Sequence, residues 1–477
     1  MAVLARLLLL LCSPSWGLSA AAGKVDITPD LPRHTVYLAG FGARGRKPEG
    51  VHDRLFARLL VLKDGPRTVA LVSLDLLGFS RNDVEDLRSL AGFAGPDRYL
   101  FAAATHVHSG PDTLGLWGPL PGVSGVDAAW LAELKMDVAA ALRKLEGQAQ
   151  EARLTGWRGT LDPKGLCRDL RDPAVLDPGL AALSVKAPGG KAIATVVNWS
   201  CHPETLGRSN LLITADFPGS LCAKVEDDTG GACLFLNGAI GGLLSPDLAA
   251  GQDPWRESAR IGATVAGAAL QGLALSRPFP EPKLEFRNLL VRVPVENSRY
   301  LLFLPALRPG HRLYDKAGAP LPRWKVYGLV YQHALRLLQP PEKPWVETEV
   351  SVVDAGPARL VGLPGEAFPE LVLGGYDGSL RFGQPLLKPE NPDPPDLAHA
   401  PTGPYLKELV RRPVPMVVGM ANDELGYLVP EYDFKVRENL TMTPRLPGDH
   451  YEETNSVGPA ATRIILDAAQ YLLSRKK

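Results

Sequence analysis

The sequence predicts an α/β protein: a mixed β-sheet core with flanking helices, forming a single domain with one loop-rich insertion. Three observations predict it. Apolar runs rich in β-branched residues alternate with stretches of helical periodicity. Most of these runs stop at glycine, proline or a polar cluster. No internal repeat or low-complexity block interrupts them. With 477 residues the chain can bury a large core, and its 44 prolines and 48 glycines require many turns.

The elements follow in order. "MAVLARLLLLLCSPSWGLSAAAG" carries Arg6, then an apolar run, then small residues, the pattern of an export signal over 1–22 with cleavage near Ala20 to Ala22. The apolar run is too short to span a bilayer, and residues 23–477 are expected to be exported, to the periplasm or the outside. "RTVALVSLDLLG" reads as a strand ending near Asp75. "SRNDVEDLRSLAG" reads as a helix with a Ser/Asn start and a glycine stop. "RYLFAAATH" is the next strand. The helix from Asp127 places Leu131, Leu134, Val138 and Leu142 on one face. "KAIATVVNWSCHP" and "ACLFLNGAIGG" are strands on either side of the helix in "FPGSLCAKVEDDTGG". "RESARIGATVAGAALQGLAL" is a helix of small residues. Residues 278–345, rich in proline and basic side chains, are expected to form a loop-rich excursion. Strands resume with "TEVSVVDAGPARLVGLPGE" and "VPMVVGMAND", and a final helix closes the chain.

Composition excludes several classes of function. Lys+Arg and Asp+Glu number 52 each, so no net field favours nucleic acid or an anionic membrane. Beyond the signal no segment is long and apolar enough to span a membrane. Cys167, Cys201, Cys222 and Cys233 form no C-x-x-C pair, which argues against a thiolate zinc site. Export permits disulfides; the sequence leaves their pairing open, with Cys222 and Cys233 the nearest pair.

The chemistry is expected at strand ends. In "THVHSGP" strand alternation puts His106 and His108 on one face about 6.5 Å apart, with Val107 opposite. Other apolar strands deliver His202, Glu366, Asn422 with Asp423, and Asp75, and Tyr427 follows Asp423 by four residues. Ligands in open α/β sheets bind where strands end. Zinc takes imidazole nitrogen and carboxylate oxygen and keeps a position for water in a catalytic site, so His106 or His108, with His202 and Glu366, meets its needs. In "LFLNGAIGGLLSPD", Gly238, Gly241 and Gly242 let backbone approach a ligand, and their N–H groups are candidates to hold an oxyanion beside Ser245. There is no G-x-S-x-G, H-E-x-x-H, phosphate loop or dinucleotide fingerprint.

"ATHVHSGPD", "NWSCHPETLG", "ITADFPG", "LFLNGAIGGLLSPD", "LPGE" and "ANDELGYLVPEYDF", in this order, together resemble the catalytic domain of the neutral/alkaline ceramidase family, from about Val25 to the final helix. The resemblance implies one zinc ion per chain and hydrolysis of the amide bond of N-acylsphingosine or a related N-acyl lipid. It implies His106, His202, Glu366 and Tyr427 as metal ligands, with His108 facing the substrate amide as proton donor. Ser245 is implied as catalytic, as nucleophile or as a positioning group, and either Arg168 or Arg171 as the substrate-contacting arginine. The chain resembles a short form without the family's C-terminal immunoglobulin-like domain. Gly242 and Asp247 stand where the family has Asp and Asn. The alternatives are a diverged zinc esterase or amidase, and a catalytically silent exported binding protein. The expected partners are a lipid or other N-acyl amide substrate and, peripherally, a membrane surface.

Overall fold

The computed structural model describes residues 17–280, 283–297, 300, 312–322, 324–326, 328, 343–435 and 450–475. Twenty strands and seven helices are described. The first sheet has the order β5 (Arg98–Ala104), β4 (Arg67–Leu74), β3 (Phe56–Asp64), β1 (Ser19–Asp26), β6 (Gln150–Glu151). The second runs β12 (Ala232–Asn237), β10 (Ala192–Trp199), β9 (Gly179–Lys186), β7 (Arg153–Thr160). The third runs β14 (Leu284–Pro294), β16 (Trp345–Ala355), β17 (Ala358–Gly362), β19 (Val414–Val418), with β15 (Leu313–Tyr314) also on β16. Three short ladders join loops: β2 (Gly50–Val51) with β11 (Leu212–Ile213), β8 (Cys167–Asp169) with β13 (Leu244–Pro246), and β18 (Glu366–Ala367) with β20 (Tyr427–Leu428). The α/β architecture with mixed sheets and flanking helices is as the sequence predicts.

The three sheets share one core. Leu60, Phe101, Leu183, Val196, Val353 and Met416 come from all three and are buried together. Strands covered on both faces read as continuous apolar runs, which is why "ALVSL" and "ATVV" carry so few polar residues. Helices cover the outer faces. α1 (Arg81–Ala91) starts at Ser80, whose hydroxyl accepts from the Asp83 N–H, and stops at Gly92 with φ 76°. It packs with α2 (Ala128–Gly147), whose Leu131, Leu134, Val138 and Leu142 are all buried. α3 (Asp216–Thr229) and α4 (Pro254–Ala274) cover the second sheet through Phe217, Leu221, Ile261 and Val265. Two short helices, α5 (Pro369–Leu373) and α6 (Leu406–Leu409), precede α7 (Pro459–Ser474), which lays Ile465 and Ala469 on the third sheet.

Two boundaries differ from the sequence expectation. Ser19–Ala22, assigned above to the end of an export signal, form the first half of β1, paired in register with Lys63 to Leu60 of β3. Leu284–Pro294, expected within a loop-rich excursion, form an 11-residue strand paired along its length with β16. From Asn288 to Val293 exposure alternates, with Leu289, Val291 and Val293 turned inward and Asn288, Leu290 and Arg292 outward, a strand pattern; the apolar Leu290 and the neighbouring basic residues obscured it. Residues 301–311 and 329–342 of the expected excursion lie outside the described residues.

Each sheet contains one parallel pair: β4 with β5, β10 with β12, and β17 with β19. The carboxyl ends of all three pairs run into the loops that carry His106 and His108, His202 and Ser245, and Glu366 and Tyr427.

Candidate metal centre

His106 and His108 do not lie in a strand. β5 ends at Ala104, and His106 has φ 71°, a left-handed conformation rare for a residue with a Cβ. The His106 and Val107 N–H groups both donate to Leu76 O, at 2.9 and 3.2 Å, which holds the chain in this turn against the end of β4. The two imidazoles still face one site, with ring centroids 5.1 Å apart, and Val107 is buried on the other side. The loop after β10 brings His202 to within 5.1 Å of the His106 ring and 5.5 Å of the His108 ring. The His108 N–H donates to Pro203 O, joining the two histidine loops directly. Asn237, at the end of β12, locks the assembly: its Nδ2 donates to Thr105 O and Cys201 O, and its Oδ1 accepts from the Cys201 N–H.

The three imidazoles each offer a nitrogen within 4.8 Å of the others, and all three side chains are buried. Their hydrogen bonds separate them into two kinds. His106 Nδ1 lies 2.9 Å from Leu77 O, and His202 Nδ1 lies 3.1 Å from Leu244 O. A carbonyl only accepts, so both Nδ1 atoms carry the proton and both Nε2 atoms present lone pairs. Both lone pairs face the same carboxylate oxygen: Glu366 Oε2 is 3.0 Å from His202 Nε2 and 3.5 Å from His106 Nε2. Tyr427, register partner of Glu366 in the β18–β20 ladder, hydrogen-bonds to that carboxylate. His108 is different: neither ring nitrogen has a hydrogen-bond partner.

Burial, and then the neighbouring His202, holds the His106 imidazole well below its ordinary pKa; burial followed by His106, His202 and Arg46 does the same for His108. Burial pushes the Glu366 carboxyl well up, against the hydrogen bond from Tyr427, with Glu452 and Glu204 adding to the rise. Neutral imidazoles around a carboxylate form a donor set that lacks a positive charge. Nitrogen lone pairs converging on a carboxylate, with the remote ring nitrogens tied to backbone carbonyls, are the arrangement of histidine ligands around a metal ion. The residues present therefore fit a divalent cation.

A cavity of about 40 Å³ opens onto His106, His108, Glu366 and Tyr427, with room for a few water molecules. Its walls are apolar: Leu77, Leu114, Leu116, Trp117, Tyr300 and Leu425. The buried Glu424 also faces it, its carboxyl pushed well up by burial and by Glu366.

The structure brings His106, His108, His202, Glu366 and Tyr427 to one place. Ser245 is one step removed, in β13 opposite Arg168, with its hydroxyl bonded to Glu204. Arg168 is exposed. Arg171 is buried over the Phe368 ring, and its guanidinium bonds to Glu452, Glu453 and Asp433. That network anchors the Glu452–Glu453 turn beside the metal centre. Gly241 donates its N–H to Ala367 O at 2.8 Å, and a Cβ there would fall 2.4 Å from Glu366 O. It is the close approach of the glycine loop to the Glu366 strand that needs glycine, and this N–H is not free to hold an oxyanion. The Gly238 N–H is likewise committed to Trp199 O, and Gly242 accepts from the Arg171 N–H. Asp75 pairs with Arg58 in the core, and Asn422 and Asp423 tie backbone and hydroxyl groups of neighbouring elements. These three are framework residues.

Sequence reasoning missed four contributors. Glu204 and Glu424 lie within the quoted motifs but carried no spacing signal. Glu452 comes from a segment with no strand-end pattern. Gly40, with φ 97°, seats the His108 ring: a Cβ there would meet His108 Cγ at 2.5 Å. The run "LAGFGARG" was the available sign of a close approach.

No protein-family model matches the sequence, and no curated protein sequence matches it. Solved structures share its architecture, two ceramidases among them. The neutral ceramidase from Pseudomonas aeruginosa superposes with a TM-score of 0.65 at 18% identity, over 96% of this chain and 75% of that one. A ceramidase complexed with C2 gives 0.64 at 17% identity, with the same coverage. The chain has the fold of these ceramidases.

Proposed function

We propose that this chain is a member of the neutral ceramidase family and acts as an exported zinc-dependent amidohydrolase, cleaving the amide bond of N-acylsphingosine or a related N-acyl lipid to a fatty acid and an amine. The observation that carries the reading is the convergence of the His106 and His202 lone pairs on Glu366, beside Tyr427, at the floor of an apolar cavity in a chain with a ceramidase fold.

In this reading His106, His202, Glu366 and Tyr427 hold the zinc. When bound, zinc supplies activation of water and polarisation of the acyl carbonyl. The chain's own groups do the rest. Leu77 O and Leu244 O fix the orientation of two ligands. The apolar walls pack against the part of the acyl chain next to the amide and exclude water from around it. His108, with both nitrogens unpartnered and the ring neutral, takes the proton lost by the attacking water and passes it to the departing amine. The exposed Arg168, rather than the committed Arg171, is the arginine free to contact substrate.

The lipid is met at a membrane surface. Asp112 accepts the N–H groups of Leu114, Gly115, Trp117 and Gly125, making a compact loop whose inner residues line the cavity and whose tip exposes Leu120 (59%) and Val123 (43%). No described helix is long and apolar enough to cross a membrane. Export leaves a mature chain that begins at or before Ser19, because later cleavage removes part of β1.

The test is hydrolysis of N-acylsphingosine beside other N-acyl amides and simple esters, for wild type and His106→Ala, with N-terminal sequencing of the exported protein. Amine release from N-acylsphingosine, lost in the variant, is expected. Cleavage of esters alone points to a diverged hydrolase, and no cleavage of any substrate to a silent relative.

A further inference from the structure

Glu204 follows His202 by two residues, in a turn closed by its own N–H donating to His202 O at 3.0 Å. Its two carboxylate oxygens serve different neighbours. Oε1 accepts the Ser245 hydroxyl. Oε2 lies 3.6 Å from His108 Nδ1, an ion-pair distance longer than a hydrogen bond. The side chain is only 19% exposed. A carboxylate thus sits between the Ser245 hydroxyl and a buried imidazole with no hydrogen bond of its own. Such contacts are often long without substrate and tighten in the complex.

Resting on the hydrolase reading, we propose that Glu204 is a positioning residue that orients Ser245 and His108 together. Two consequences follow from hydrogen-bond inventory alone. Because the Ser245 proton is directed at Glu204, its oxygen offers lone pairs to a ligand. Ser245 therefore accepts from an N–H or O–H of the substrate; it does not donate to the acyl carbonyl. Because the carboxylate faces Nδ1, neutral His108 carries its proton there. Nε2 is then the nitrogen left for proton exchange with the amide.

The arrangement also explains why Arg46 and Gly40 converge on the same residue. Arg46 donates to His108 O, and Gly40 leaves space for the ring. Backbone and ring of His108 are thereby held so that Nδ1 addresses Glu204.

Glu204→Ala and Glu204→Gln in the zinc-loaded full chain test this, with metal content, kcat and KM measured on whichever N-acyl amide the wild type cleaves. Glu204→Ala is expected to keep its metal and lower kcat about 10- to 100-fold with KM little changed. Glu204→Gln should recover part of the loss, since its amide oxygen still accepts from Ser245. Nitrogen-15 spectra of histidine-labelled enzyme give an independent readout: the His108 signal, identified by its loss in His108→Ala, should show an Nδ1–H tautomer that changes in Glu204→Ala. Unchanged kcat, loss of metal with the side chain, or an unmoved His108 signal overturns the proposal. If the wild type cleaves no N-acyl amide, the hydrolase reading fails while the spectra still decide the role of Glu204.

Discussion

Glu366 and Tyr427 lie directly opposite each other in the two-residue parallel ladder that joins the loops after β17 and β19. Paired residues of a ladder project to the same side, so this register alone brings a carboxylate and a phenol from distant parts of the chain to one place.

The unlike hydrogen bonding of the histidines predicts unlike consequences of their loss. His106→Ala and His202→Ala should each lose bound zinc and lower activity by about 10³-fold. His108→Ala should keep zinc and lose about 10²- to 10⁴-fold in rate. Metal analysis of the purified variants distinguishes them; zinc lost from His108→Ala would make the three histidines a single ligand set.

Gly40→Ala should leave the fold intact and displace His108. The added Cβ overlaps the ring, and a positive φ costs an alanine about 1–2 kcal/mol. The expected result is a small fall in melting temperature with a large fall in kcat at full metal content. A rate like wild type would show that the ring adjusts at no cost.

Leu120→Asp with Val123→Asp should weaken binding to phospholipid vesicles by tenfold or more, since burying two such side chains contributes about 3 kcal/mol or more. Hydrolysis of a soluble short-chain amide should be unaffected, because neither residue lines the cavity. Cosedimentation measures the first effect. Equal binding by wild type and variant would remove the loop from the membrane contact.

Glu370 is buried within α5, and burial, opposed by Arg171, pushes its carboxyl up to about 8. Between its ordinary 4.5 and about 8 the folded chain keeps a proton that the unfolded chain releases. Stability therefore falls as pH rises through that window. Glu370→Gln should be more stable than wild type above the window, with the difference vanishing toward its acid end. Melting curves against pH check this; parallel curves would mean that Glu370 stays charged.

The buried cysteines resolve into two pairs, with the Cys201 thiol against Cys167 and the Cys233 thiol against Cys222. In an oxidising compartment the expected disulfides are Cys167–Cys201 and Cys222–Cys233, and peptide mapping without reduction should find no cross-pairing. Any other pairing contradicts this packing.

Much of the fold was legible because its signals are local. Ser80 and Gly92 bound a helix by their own chemistry, and Leu131 to Leu142 mark a buried face by spacing. The candidate ligands His106, His202 and Glu366 were legible as polar residues closing apolar strands. The reason given for the direction of His106 was not the one the structure uses: a left-handed turn, not strand alternation, aims it. Glu204, Glu452 and Gly40 were illegible because each acts only through a partner far away in sequence, and nothing in the local pattern encodes that partner. β14 was masked by composition, its alternation hidden among charged residues.

The dispersal of the centre has a consequence for biogenesis. Its groups run from His106 to Tyr427, with Glu452 and the Arg171 anchor behind them, and no two candidate ligands are neighbours in sequence. A ribosome-bound chain therefore has nothing that can grip an ion until nearly all of it has emerged, and a structural site absent from the unfolded state loads only with folding. On the proposed reading, the compartment in which the chain folds would therefore set which metal the centre takes.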